Sequence, residues 1–92
     1  MPELEDWLEP FVGKSIVCDL DDSFMVLGRL DSFSAHHLQF SQADLHDHHE
    51  ANSSKEVYVI ESRRLGVRVN RLHLYVPRGR VVAVSLLDDV AP

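Results

Sequence analysis

Leu72-His73-Leu74-Tyr75-Val76, Pro77-Arg78-Gly79-Arg80 and Val81-Val82-Ala83-Val84-Ser85-Leu86-Leu87 follow one another near the end of this 92-residue chain. Apolar and β-branched residues crowd the two outer stretches, and Pro77 and Gly79 interrupt the pattern between them. β-branched and leucine-rich runs favour the pleated surface of a sheet, whereas proline and glycine punctuate it. The three stretches therefore read as two strands joined by a tight basic turn.

Working outward, the residues upstream supply the sheet that these strands would join. From Ser15 the apolar period is two, with Ile16, Cys18 and Leu20 on one face and Val17 and Asp19 on the other. Asp21-Asp22-Ser23 is a turn, and residues 24–33 return as a second strand with Val26, Gly28 and Leu30 inward. A glycine inside a strand marks a sharp bend or the close approach of another backbone, so Gly28 is where the sheet is expected to curl. Ser34-Ala35-His36 makes the next connection, and His37-Leu38-Gln39-Phe40 alternates as a third strand.

The rest of the chain fits around these strands. Pro2, the early acids and the spacing of Leu4, Trp7, Leu8 and Phe11 predict a short amphipathic N-terminal helix that Pro10 ends at Leu8 or Glu9. Residues 44–54 are polar, aperiodic and rich in turn formers, which predicts a surface loop or a frayed hairpin tip. Residues 56–60 look strand-like, and residues 63–76 read either as one long bent strand or as two strands meeting near Gly66. A slip in the alternation is expected at Asn70-Arg71. The sum predicts an all-β barrel of the SH3-like type, strongly bent, with about five antiparallel strands and a helical cap.

Length and composition narrow the function. Residues 1–92 suit a single domain, small enough for association to help its stability. The single cysteine, Cys18, lies in an alternating apolar pattern and reads as a buried thiol in a reducing, cytoplasmic setting. No run approaches a membrane span, and the acidic start is unlike a signal peptide. The net charge of −6 argues against indiscriminate nucleic-acid binding. Its distribution is uneven: Arg63, Arg64, Arg68, Arg71, Arg78 and Arg80 fall within residues 63–80 without an acid, leaving −12 on the remainder. Such asymmetry points to an anion site or to electrostatic docking between copies, against the plain alternative of a solvated strand face.

Two stretches together resemble the Sm-like family. Gly13-Lys14-Ser15-Ile16-Val17-Cys18-Asp19-Leu20-Asp21-Asp22-Ser23-Phe24-Met25-Val26-Leu27-Gly28-Arg29-Leu30 is similar to its first motif, with a strand, an acidic turn and a glycine two residues before a leucine. Leu74-Tyr75-Val76-Pro77-Arg78-Gly79-Arg80-Val81-Val82-Ala83-Val84 is similar to the second, built around an Arg-Gly pair between two apolar strands. The resemblance covers most of the chain outside residues 44–54 and the strand material after them. It implies a bent five-stranded barrel whose fourth and fifth strands pair with neighbouring copies to close a homo-oligomeric ring, commonly lined by an RNA-binding surface. Physical chemistry gives an independent reason for assembly, since a head-to-tail contact that closes satisfies every exposed strand edge at once.

Family RNA pockets use an acid and an asparagine in the third loop, a stacking residue, and the Arg-Gly pair. Arg78 and Gly79 carry over, Gly79 by allowing a tight turn and Arg78 by stacking on a base or bonding phosphate. Ser34 stands where the acid is expected, and Leu38 or His37 where the asparagine is expected. His36 and His37 remain as stacking candidates. Pro77 replaces the usual β-branched residue before Arg-Gly. Single-stranded RNA at Arg78, Gly79, His36, His37 and Ser34 is thus one expectation; a scaffolding ring that engages a protein partner without RNA is the other.

A third possibility lies in His46, Asp47, His48, His49 and Glu50, all capable metal ligands. Adjacent histidines in a loop lack the rigid mounting of a built metal site, so no metal and no cofactor is expected. No serine or cysteine sits with a base and an orienting acid, so the chain is not expected to be an enzyme.

Overall fold

The computed structural model describes residues 6–49, the backbone of Glu50, and residues 54–91. Five strands, β1 (Ser15–Leu20), β2 (Phe24–Phe33), β3 (His37–Asp47), β4 (Arg71–Pro77) and β5 (Val81–Leu86), form one antiparallel sheet in the order β4-β3-β2-β1-β5. Among the described residues one α-helix, α1 (Lys55–Leu65), enters between β3 and β4. The Arg78–Arg80 segment is a single 3-10 turn, and the strands it joins lie at opposite ends of the sheet.

Two register shifts bend the β2–β3 pair. Leu27 pairs with Asp44 and Arg29 with Ser41, so β3 carries an extra residue opposite Gly28, where Gln42 takes a φ of 50°. Leu30 pairs with Phe40 and Ser32 with Gln39, so the second extra residue lies on β2. Bulges of this kind sharpen local twist and turn a strand. At the first of them a Cβ on residue 28 would stand 2.9 Å from the Ala43 Cα, which accounts for the glycine as a close backbone approach.

Both faces of the sheet are covered. On one, Ile16, Cys18, Val26, Leu30, Leu38, Phe40, Ala43 and Val76 bury together with Leu8, and Phe11 packs against them. On the other, Val17, Met25 and Leu27 meet Val59 of α1 and Leu87. The alternation assigned to β1 and β2 is the observed one. Burial pushes the Cys18 thiol up to about 12, with the neighbouring Asp19 charge adding to the effect.

The structure departs from the expected pattern in four places. Residues 56–60 are helical, because end signals outweigh the β-branched run of Val57, Val59 and Ile60. The Ser54 hydroxyl caps the helix by accepting from the Val57 N–H, Arg63 and Arg64 occupy its last turn, and Gly66 ends it at φ 94°. Gly66 is therefore a helix terminus and not a junction of strands, and Arg71 opens β4 after an extended segment. Residues 44–47 belong to β3, and residues 48–50 form a 3-10 turn; residues 51–53 of the expected loop lie outside the described residues. At the N-terminus, residues 2–5 of the expected helix also lie outside them, and a 3-10 turn at Glu9–Phe11 includes Pro10.

A polar cluster explains why β3 runs on to Asp47. Asp44, only 2% exposed, accepts from the Tyr58 hydroxyl of α1 and from Asn70 Nδ2 at 3.0 Å. The Asn70 amide also spans the Leu45 backbone, accepting from its N–H at 2.9 Å and donating to its C=O at 3.1 Å. A side-chain amide thus extends the β3–β4 ladder by one step at the place where the alternation slips. His46 stacks on Tyr58 with ring centroids 3.7 Å apart, and Lys55 pairs with Asp19. Among the described residues no helix is long and apolar enough to cross a membrane, which says nothing of strands.

Candidate nucleic-acid interface

The β2–β3 connection closes on its own first residue. Ser34 Oγ accepts from the N–H groups of His36 at 3.1 Å and His37 at 3.2 Å, and the Ser34 N–H donates to the His37 carbonyl at 2.8 Å. A serine hydroxyl that satisfies two local donors is a common way to hold a tight turn. The 3-10 turn after β4 is tied to this one, since the Arg78 N–H donates to the His36 carbonyl at 2.8 Å. Ser34, His36, His37 and Arg78, far apart in sequence, meet at one end of the β3–β4 pair.

The Arg78 side chain crosses that junction. Its Nη1 donates to the Ser34 carbonyl at 2.9 Å and its Nη2 to the Asp6 carboxylate at 2.7 Å. Its guanidinium carbon lies 5.7 Å from the ring centroids of both Trp7 and Phe33, within reach of a cation–π contact. The hydrogen bond from Arg78 holds the Asp6 carboxyl below its ordinary range, helped by the Leu8 N–H, and Asp6 in turn keeps the guanidinium charged. Arg78 is thus a strut between the N-terminal segment and two turns.

The turn does not hold Gly79 in a conformation or a space that excludes a side chain. A Cβ there would meet nothing within 4 Å, and its φ is not left-handed, so the turn does not require glycine. His36 and His37 are exposed, and the His37 ring meets Tyr75 edge-on at 5.5 Å. Tyr75 is itself 60% exposed and Trp7 54%, so His36, His37, Tyr75 and Trp7 give accessible ring surface beside the strut. Arg80 donates from Nε to both Asp21 oxygens at 2.7 Å.

Asp6, Trp7 and Phe33 complete the site and lie outside the two stretches that carry the family resemblance. An acid two residues before Leu8, just ahead of Glu9-Pro10, is a local capping signal, and Leu8 N–H does donate to Asp6 Oδ1 at 3.0 Å. Nothing local announces that the same carboxylate reaches residue 78.

The histidine-rich stretch is spoken for in part. Asp47 accepts from the Ser23 hydroxyl at 2.6 Å and the His49 N–H at 3.0 Å, and these bonds lower its pKa, the Ser23 hydroxyl most. The His48 and His49 rings lie 4.9 Å apart, while His46 is stacked on Tyr58. Among the described residues, no three histidine, cysteine or acidic side chains converge on a point where a metal ion could sit.

A groove of about 240 Å³ lies between Leu74 and Val76 of β4, Leu20 of β1, and Phe24 and Leu45, with the Arg80–Asp21 pair at its rim. Strands distant in the sheet order therefore share one concave, mostly apolar surface. Compared with known proteins, the chain matches no family model and no curated relative.

Proposed function

We propose that this chain is an Sm-like barrel that assembles head to tail into a homo-oligomeric ring. The observation that carries the reading is the pair of open edges: among the described residues β4 pairs only with β3 and β5 only with β1. Both edges offer exposed apolar side chains, Leu72 and Tyr75 on β4 and Val82 on β5. Unpaired edges are liabilities that strand addition removes, and a repeated contact with closing rotation leaves none. The two resembling motifs support the reading, as do the bulges and Gly28 that bend the sheet. The proposal includes a cytoplasmic location, consistent with the buried free thiol of Cys18; it includes no catalytic role and no cofactor.

Light scattering coupled to gel filtration at micromolar concentration tests it. A discrete multimer is expected, and a strictly monomeric mass at every concentration would remove it.

What the ring does follows from Arg78. Its guanidinium is held by Asp6 and the Ser34 carbonyl, which favours a scaffolding ring that presents itself to a protein partner. The second reading, short single-stranded RNA, rests on the exposed His36, His37 and Tyr75 rings beside the strut, where bases can stack with little hydrogen-bond selection. Fluorescence anisotropy with labelled uridine-rich and adenosine-rich oligomers separates the two. Binding that weakens steeply with salt supports RNA, and no binding at low salt by a verified multimer leaves the scaffold.

A further inference from the structure

The structure divides the six arginines of residues 63–80 into two kinds. Arg78 and Arg80 are neutralised by Asp6 and Asp21. Arg63, Arg64, Arg68 and Arg71 are exposed, and among the described residues none of them has a carboxylate within ion-pair distance. Interleaved with these four are Leu65, Val69 and Leu72, exposed by 78%, 43% and 65%. No aromatic ring falls among residues 63–72 on which a base could stack. Guanidiniums set among aliphatic side chains match an acidic, partly apolar protein surface better than a nucleic acid.

This chain carries such a surface beside its other open edge. Val82 of β5 is 68% exposed, and the strand runs into Leu87-Asp88-Asp89, whose two acids are exposed and likewise without an ion-pair partner among the described residues. Arg71 is the first residue of β4, while Asp88 and Asp89 come just after the last residue of β5. If β5 of one copy adds antiparallel to β4 of another, the Arg68–Arg71 end meets the acids. Parallel addition would instead bring Arg71 toward Arg80 and Val81. Unlike charges opposite one another stabilise a strand pair and like charges oppose it.

We infer that Arg71 at the start of β4 and Arg68 just before it form a charge clamp with Asp88 and Asp89 of the neighbouring copy, fixing an antiparallel orientation and the register of strand addition. The inference rests on the proposed edge-to-edge assembly and adds to it the groups that orient each contact. Exposed pairs are screened by salt, and their effect repeats at every contact around a closed assembly.

The test uses two charge-reversed chains, Arg68→Glu with Arg71→Glu, and Asp88→Arg with Asp89→Arg, with circular dichroism to confirm that each is folded. The wild-type chain should be multimeric at low salt, with its assembly weakened about tenfold as salt is raised to the molar range. Each reversed chain should be smaller at the same concentration. Mixing them should restore the multimer, because every contact in an alternating assembly then joins an arginine pair to an acidic pair. The chain carrying all four substitutions should assemble by itself for the same reason. Reversed chains that assemble like the wild type, or failure of both the mixture and the fourfold chain to assemble, would overturn the clamp while the wild-type multimer stands. A wild-type chain that stays monomeric at low salt would overturn the clamp together with the assembly on which it rests.

Discussion

Gly28 and Ala43 sit face to face across the β2–β3 pair, so close that a Cβ on residue 28 would lie 2.9 Å from the Ala43 Cα and 3.0 Å from its Cβ. The contact coincides with the extra residue on β3, where Gln42 takes a positive φ. Close approach and bulge together turn the sheet, and that turn lets Leu74 and Val76 of β4 share a groove with Leu20 of β1.

Gly28→Ala should therefore destabilise the chain by roughly 1–3 kcal/mol, the usual range for an overpacked core position. The atom in the way is backbone, so a rotamer change cannot relieve it. Urea denaturation read by circular dichroism checks the prediction. Adding Ala43→Gly should recover little, because the 2.9 Å contact is to the Cα, and recovery to wild-type stability would show that the side chain alone set the limit.

Tyr58 and Asn70 both donate to the buried Asp44 carboxylate and so fasten α1 and the start of β4 to β3. Tyr58→Phe leaves Asp44 short of one donor, at a cost of about 1–3 kcal/mol. Burial, then the hydrogen bond to Asp44 and its charge, drive the Tyr58 pKa upward, so the phenol stays protonated and donating through the alkaline range. Spectrophotometric titration should accordingly show one tyrosine resisting ionisation until the protein unfolds, and Tyr58→Phe should abolish that late step.

Cys18 is fully buried in the core, with its pKa raised to about 12. Thiolate is the reactive form, so a thiol reagent at pH 8 should label the native chain very slowly. Labelling should become fast in denaturant. Prompt stoichiometric reaction of the folded protein would contradict the packing of β1 against β2.

How much of this was legible in the sequence differs from element to element. The period-two patterns of β1 and β2 were readable because their alternate apolar residues divide between two cores, Ile16, Cys18, Val26 and Leu30 on one face and Val17, Met25 and Leu27 on the other, and that of β4 because Leu74 and Val76 share a face although Leu72 is exposed; Gly28 announced its bend for a steric reason. Helix α1 was missed because Val57, Val59 and Ile60 imitate a strand, while its Ser54 cap and terminal Gly66 are single-residue signals. The end of β3 was missed because its polar residues are satisfied from a distance: Asp44 by Tyr58 and Asn70, Asp47 by Ser23. At the candidate site, motif similarity brought out Ser34, His36, His37 and Arg78, which do converge. The partner that occupies Arg78 was hidden, because the bond joins residues 72 positions apart.

That partner leads to the final prediction. Asp6 and Arg78 form an ion pair at 2.7 Å, and the folded state holds the Asp6 carboxyl below its ordinary range chiefly through the Arg78 hydrogen bond. A carboxyl whose pKa is depressed on folding contributes stability above its unfolded pKa and loses that contribution as pH falls through the folded value. Asp6→Asn should thus lower Tm at pH 7, and the gap from wild type should close as the solution is acidified below the ordinary carboxylate range. Arg78→Ala should lower Tm further, since it also frees the Ser34 carbonyl and removes the cation beside the Trp7 and Phe33 rings. Arg63→Ala, exposed and without an ion-pair partner among the described residues, should leave Tm unchanged. Thermal melts of the four chains between pH 3 and pH 7 make the comparison. A Tm gap between wild type and Asp6→Asn that persists unchanged at the acid end would show that the carboxylate charge is not what joins the N-terminal segment to Arg78.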